Sequence, residues 1–153
     1  MNALKMGVSV SDLRSESVLL YTLSSIRTRE ESHHNQKEKG SLSVQLREYI
    51  DAHYADPTLS LTSLGNVFSY NPKYISAVFK KTYRIGVSEY LRIIRIQSAC
   101  TLIEEGLTSV SNIAFLCGFD DPLYFSKLFR NTTGISPREY IRERIENNRN
   151  KQP

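Results

Sequence analysis

The sequence predicts an all-α fold: two helix-turn-helix lobes joined by a long connecting helix, about seven helices in all. Three observations carry this expectation. No stretch sustains the period-two alternation of a half-buried strand, whereas apolar residues recur at helical spacing from Leu42 onward. Two segments, Leu64–Lys80 and Ile113–Arg130, repeat one pattern about fifty positions apart: a short apolar helix, a turn, and a second helix with a basic outer face. Between them, Ser88 to about Glu105 carries Leu91, Ile93, Ile94, Ile96, Ala99, Cys100, Leu102 and Ile103. A helix apolar on several sides is buried between two bodies, so this one is the expected connector.

Taken in order, the chain begins with residues 1–10, which show no clear pattern. Leu13, Val18, Leu19, Leu23 and Ile26 form a loose stripe compatible with an extra N-terminal helix from Ser11 to about Arg27. Thr28 to Gly40 is polar and charged, the composition of a flexible linker. His33 and His34 lie in it without another ligand nearby, so no metal site is expected. Leu42, Leu46, Tyr49, Ile50 and Tyr54 then mark a helix that Pro57 should end. Ser60 is the candidate N-cap for Leu61–Phe68. Asn71 caps the next helix, with Pro72 at its first position, and that helix runs to about Tyr83 before Gly86 breaks it. Ser88 is the expected cap of the connector and Gly106 its stop. Ser109 or Ser111 starts the following helix, which ends near Cys117-Gly118. Asp120 or Asp121 caps the next, with Pro122 near its start and Gly134 at its end. Ser136-Pro137 opens the last helix, and Asn147 to Pro153 should be a frayed tail.

Bulk properties bound the function. The 153 residues are 40% hydrophobic with a net charge of +4 and a pI near 9.1. Residues 41–153 carry 14 Lys and Arg against 11 Asp and Glu, and residues 1–40 carry 6 against 5. This mild basicity fits nucleic acid but is common to many domains. Cys100 and Cys117 sit at apolar helical positions, as small buried hydrophobes and not as a disulfide. No apolar run is long enough to span a membrane, and Val18-Leu19-Leu20-Tyr21 is too soon interrupted to be a signal-peptide core. A reduced, cytoplasmic compartment and no membrane association are expected. There is no Gly-rich phosphate loop, metal-spaced Cys/His set or nucleophile elbow, so neither an enzyme nor a cofactor is expected.

The candidate functional residues follow from helix periodicity. In the first repeat Ile75, Val78 and Phe79 form the inward stripe, leaving Lys73, Ser76, Ala77, Lys80 and Lys81 outward. In the second, Phe125, Leu128 and Phe129 point inward, leaving Leu123, Ser126, Lys127 and Arg130 outward. In a helix-turn-helix the outer face of the second helix enters the DNA major groove. Lys and Arg there neutralise phosphates or bond guanine, Ser donates or accepts, and Ala77 and Leu123 can touch a thymine methyl. A basic face on one amphipathic helix is as readily a solvated surface. Two copies matched in core and outer face make that bland reading much weaker. Tyr74 and Tyr124 are equivalent and could contact phosphate, but partial burial at their helix starts is the expected role. Tyr90 and Tyr140 are expected to pack behind each unit. Arg95, alone on the apolar connector, can bond buried carbonyls or carboxylates or reach a phosphate, and the structural role is the expected one.

At these residues the chain from Leu42 to Arg142 resembles the DNA-binding domain of the AraC/XylS family of bacterial transcription regulators. The second copy carries the resemblance best, through Ile113-Ala114, Gly118-Phe119, Tyr124-Phe125-Ser126, Phe129-Arg130, Gly134-Ile135-Ser136-Pro137 and Glu139-Tyr140. The first copy resembles it through Leu64, Tyr74-Ile75, Phe79-Lys80 and Tyr90, and the connector through Arg95 and Ala99. The resemblance implies a seven-helix, two-lobe domain over 41–146, a double-stranded DNA partner, and activation of transcription through RNA polymerase. Three residues depart from the pattern: Gly65 replaces an alanine, Ser69 a turn glycine, and Arg84 a glycine that ends the recognition helix. Members of the family usually carry a larger effector-binding or dimerisation domain upstream. Residues 1–40 are too few to form one, so they read as an extension, linker or remnant of it, or as part of a short stand-alone regulator. They could also pair two copies as a homodimer. The alternative reading is a protein-interaction module in which the lobes dock a partner protein. It calls for exposed apolar residues on the second helices, and Leu123 is the only large candidate there.

Overall fold

The computed structural model describes residues 40–149. The helix expected over 11–27, the linker with His33 and His34, and residues 150–153 lie outside the described residues. Within them are seven helices and no strand. These are α1 (Leu42–His53), α2 (Leu61–Phe68), α3 (Pro72–Tyr83), α4 (Val87–Glu104), α5 (Val110–Leu116), α6 (Pro122–Thr133) and α7 (Pro137–Arg149).

Local chemistry sets most of the boundaries. Ser60 and Ser63 form a reciprocal capping box at the start of α2. Asn71 accepts a hydrogen bond from the Lys73 N–H at 2.8 Å, and Pro72 occupies the first turn of α3. Asp121, not Asp120, repeats this cap on the Leu123 N–H at 2.8 Å before α6. Ser109, not Ser111, caps α5. Glu139 accepts from the Ser136 N–H at 2.8 Å while Ser136 accepts from the Glu139 N–H at 3.3 Å, a second capping box. The bonds from Ser136 hold the Glu139 carboxyl below the usual carboxylate range.

Three boundaries differ from the sequence expectation, and α3 ends at Tyr83 as expected but with a different terminating residue. α1 stops at His53, well before Pro57, because the chain turns at once through Asp56, whose carboxylate accepts from the Thr58 N–H at 2.8 Å. α3 is ended by Arg84 in the left-handed region at φ 65°, its N–H bonded to the Lys80 carbonyl at 2.9 Å, and not by Gly86. Gly86 is instead the extended residue before α4, which therefore starts at Val87 and not after Ser88. α7 continues through the expected tail to Arg149.

Two apolar cores result. Leu46, Ile50, Leu64, Ile75, Phe79 and Tyr83 form the first with Val87, Tyr90 and Leu91 of α4. Ile113, Ala114, Cys117, Phe119, Phe125 and Phe129 form the second with Ile96, Ala99 and Ile103 of the same helix, closed by Tyr140 and Ile141 of α7. The N-terminal half of α4 thus closes the first lobe and its C-terminal half opens the second. The Tyr90 hydroxyl donates to Asp51 of α1 at 2.7 Å. In the second lobe Arg144 donates to the Tyr140 hydroxyl at 3.0 Å and to Glu104 at 3.1 Å. Both cysteines are free. Burial pushes the Cys100 thiol up to about 12 and raises that of Cys117, which suits packing and not reactivity.

Candidate nucleic-acid interface

Periodicity along α3 and α6 places the two outer faces. Ile75 and Phe79 are fully buried, as are Phe125 and Phe129, while Val78 and Leu128 are half-buried at the margin of each stripe. Phe79 packs between Tyr83 and Tyr90, with ring centroids 4.7 and 5.4 Å away. Phe129 packs between Phe125 and Tyr140, at 5.6 and 5.5 Å. Those anchors fix the rotation of each helix about its axis. The opposite side of α3 then exposes Lys73, Ala77, Lys80 and Lys81, with Ser76 half-buried beside them. On α6, Leu123, Lys127 and Arg130 are exposed, and Ser126 is half-buried. Its hydroxyl donates to the Pro122 carbonyl at 2.8 Å, so its oxygen remains available chiefly as an acceptor. Leu123 is 81% exposed.

Other residues join these faces. Tyr74 and Tyr124, expected to be partly buried, are each about half exposed. Each precedes a fully buried residue, Ile75 or Phe125, and so lies off the inward stripe of its helix. Tyr70, which sequence reasoning did not single out, is also half exposed and lies against Tyr74 at 5.4 Å. Its place in the turn gave no periodic signal. Tyr124 faces an open groove of about 310 Å³ whose other wall is Leu59 and Leu61 of the first lobe with Val87, Leu91 and Arg92 of α4. Phe115 and Leu116 of α5 and Val67 of α2 are exposed apolar residues on the first helices of the two units. A seven- or eight-residue helix with a two-residue inward stripe leaves its other apolar positions on the surface.

Arg95 does what its isolation suggested. Its Nε donates to the Tyr54 carbonyl at 2.8 Å and its Nη2 to the Asp56 carbonyl at 2.7 Å. Burial lowers its pKa, and the charges of Asp56 and Asp120 work the other way. Both partners lie in the turn after α1, so Arg95 supports the scaffold and leaves the outer faces to the surface cations.

Comparison with known proteins bears on this geometry. The model of a family described as a helix-turn-helix domain, of AraC type, matches residues 64–143. The chain belongs to the AraC-type helix-turn-helix family. Among curated relatives of this AraC-type chain, the uncharacterised transcriptional regulator YijO of Escherichia coli strain K12 is 42% identical over 98 residues, which is 64% of this chain and 34% of that protein. The chain thus spans about a third of that relative's length. Among solved structures, the C-terminal domain of AraT, a response regulator from Geobacillus stearothermophilus, superimposes with a TM-score of 0.66 at 28% identity, covering 70% of this chain and 88% of that one. The DNA-binding domain of AdpA, solved in complex with a target DNA, shares the fold with a TM-score of 0.65 at 20% identity, covering 74% of this chain and all of that one. The all-α architecture is shared with both of these solved structures, and none of the three proteins is described as an enzyme. No helix among the described residues is long and apolar enough to cross a membrane.

Proposed function

We propose that this AraC-type domain is a sequence-specific DNA-binding module of a cytoplasmic transcription regulator. It inserts α3 and α6 into successive segments of the major groove. The observation that carries this reading is the duplicated outer face. Two helices, each anchored by a buried phenylalanine, present Lys73, Lys80 and Lys81 on one side and Lys127 and Arg130 on the other. Lys80 and Arg130 repeat at the same position, directly after the buried phenylalanine, while Lys73, Lys81 and Lys127 add charge to the same outer faces at unmatched positions. Lys80, Lys81 and Arg130, near the C-terminal ends, serve phosphates. Ser76, Ala77, Leu123, Ser126 and Lys127, nearer the N-terminal ends, meet base edges. The connecting α4 has 18 residues, roughly 27 Å at about 1.5 Å per residue. That suits recognition helices about one duplex turn, roughly 34 Å, apart. RNA polymerase is the proposed protein partner and activation the proposed outcome, on the strength of the family resemblance.

Residues 1–40 are proposed to be dispensable for binding one target site, and available for pairing two copies. The decisive experiment selects bound duplexes from a random pool with the full chain, then measures affinity against salt. We expect an enriched motif with two half-sites and a log–log salt slope of several units, about −0.9 per phosphate contact. A chain starting at Ser41 should keep nearly full affinity for one site. Failure to enrich any motif, with salt-independent binding, would reject the DNA reading. It would favour the protein-docking alternative, for which the exposed Leu123 on the second helix is the candidate contact.

A further inference from the structure

We infer that Arg95, with Tyr54 and Gly118, is a positioning device that sets the spacing between the two recognition helices, and so the half-site spacing that the domain accepts. The inference rests on the two-groove reading above and adds to it which residues impose the distance.

The connector alone does not fix that distance. Each lobe packs its small core on one half of α4, and a contact between the lobes to one side of that helix adds resistance to their rolling about it. The tie is the turn after α1. Arg95 lies on α4 at the junction of the two cores, between Leu91 of the first and Ile96 of the second. Its guanidinium grips the Tyr54 and Asp56 carbonyls, both in the first lobe. The same guanidinium lies over the Phe119 ring of the second lobe, 5.5 Å from its centroid. The Tyr54 hydroxyl shares a hydrogen bond with Ser98 of α4 at 2.9 Å, one turn along from Arg95.

The second lobe meets this turn without a gap. Gly118 sits at φ +79°, and a Cβ there would stand 2.7 Å from the Tyr54 carbonyl oxygen and 2.9 Å from that of Ala55. Only a residue without a side chain lets the backbones come so close. Gly118 and Phe119 lead directly through Asp121 into α6. A shift of the Tyr54–Asp56 turn is therefore transmitted to the recognition helix of the second lobe through backbone, a cation and one aromatic ring. None of these three residues lies on an outer face, so their effect on DNA is through placement.

The test uses the full chain and the duplexes it selects from a random pool. The same duplexes are resynthesised with one or two base pairs inserted or removed between the half-sites. Each pair moves one half-site by about 3.4 Å and about 35° around the axis. The wild-type chain should lose at least about tenfold in affinity per pair, the scale of a lost base contact. Arg95→Met keeps the stem and removes both carbonyl bonds. It should bind the original duplex within about threefold of wild type, and should lose less than about threefold per pair. Tyr54→Phe removes only the hydroxyl bond to Ser98 and should fall between the two. It also decides the matter if Arg95→Met melts as an unfolded chain. A folded variant that keeps the wild-type spacing profile overturns the role of the tie. A wild-type chain indifferent to spacing overturns the two-groove reading itself, so the two failures are distinguishable.

Discussion

The first and second lobes are built from one plan, and they spend their backbone differently. Each needs a left-handed residue between its two short helices and another after its recognition helix. The second lobe has glycine at both places, Gly118 at φ 79° and Gly134 at φ 88°. The first has Ser69 at φ 57° and Arg84 at φ 65°. A residue with a Cβ costs about 1–2 kcal/mol there, so the first lobe carries strain that the second avoids. The helices before the turns differ in the opposite sense. Gly65 is buried where the second lobe has Ala114, and a Cβ at Gly65 would stand 3.0 Å from the Tyr70 carbonyl oxygen. The first turn is thus packed more closely on its own helix. The second turn is packed more closely on the neighbouring lobe, through Gly118. The outer faces differ too. Where the first lobe has Ala77, the second has Lys127, and where it has Lys73, the second has Leu123. The anchors themselves are matched: Phe79 and Phe129 are both fully buried, each against the tyrosine of the following helix, Tyr90 or Tyr140.

The largest expected effects come from those anchors. Phe79→Ala and Phe129→Ala should each cost about 3–5 kcal/mol and unfold their own lobe first, as read by amide hydrogen exchange. Loss of protection in both lobes for either variant would show that the shared α4 couples them into one unit.

Gly118→Ala should cost about 2–3 kcal/mol, from a positive φ and a clash with two carbonyls. Gly65→Ala should stay within about 1 kcal/mol of wild type, because the helix propensity gained offsets the tight contact. Chemical denaturation of the two variants compares the lobes directly. Equal losses would mean that the approach to Tyr54 relaxes without cost.

Exchanging the outer faces should separate the lobes' roles in reading. Lys127→Ala makes the second lobe like the first at that position and should relax sequence preference there by about 1–3 kcal/mol. Arg130→Ala and Lys80→Ala should weaken binding to every duplex alike and reduce the salt slope by about 0.9 each. Uniform loss on all sequences for Lys127→Ala would move that residue to the phosphate group.

The smallest effect should be favourable. Arg84→Gly gives the first lobe the glycine of the second and should stabilise it by about 0.5–1 kcal/mol, the strain relieved less the added freedom of the unfolded chain. A lower melting temperature would mean that the Arg84 side chain contributes more than its backbone costs.

By itself the sequence determined the all-α class, the duplicated motif, the caps at Ser60 and Asn71 and a third at Asp120 or Asp121, the inward stripes, and the set of outward cations. These follow from periodicity and from side chains that bond their own backbone, which act over one or two helical turns. It also marked Arg95, because a charge on an apolar helix needs acceptors. Tertiary structure alone decided which acceptors those are, since the Tyr54 and Asp56 carbonyls are some forty positions away along the chain. It decided that Tyr74 and Tyr124 stand half in solvent, because exposure at a helix start depends on what the rest of the fold brings alongside. It decided as well that Arg84 takes up the left-handed conformation that closes α3, with its N–H on the Lys80 carbonyl. Local preference is written in adjacent residues. The approach of Gly118 to the Tyr54 carbonyl arises only when two separately specified lobes are packed against one helix.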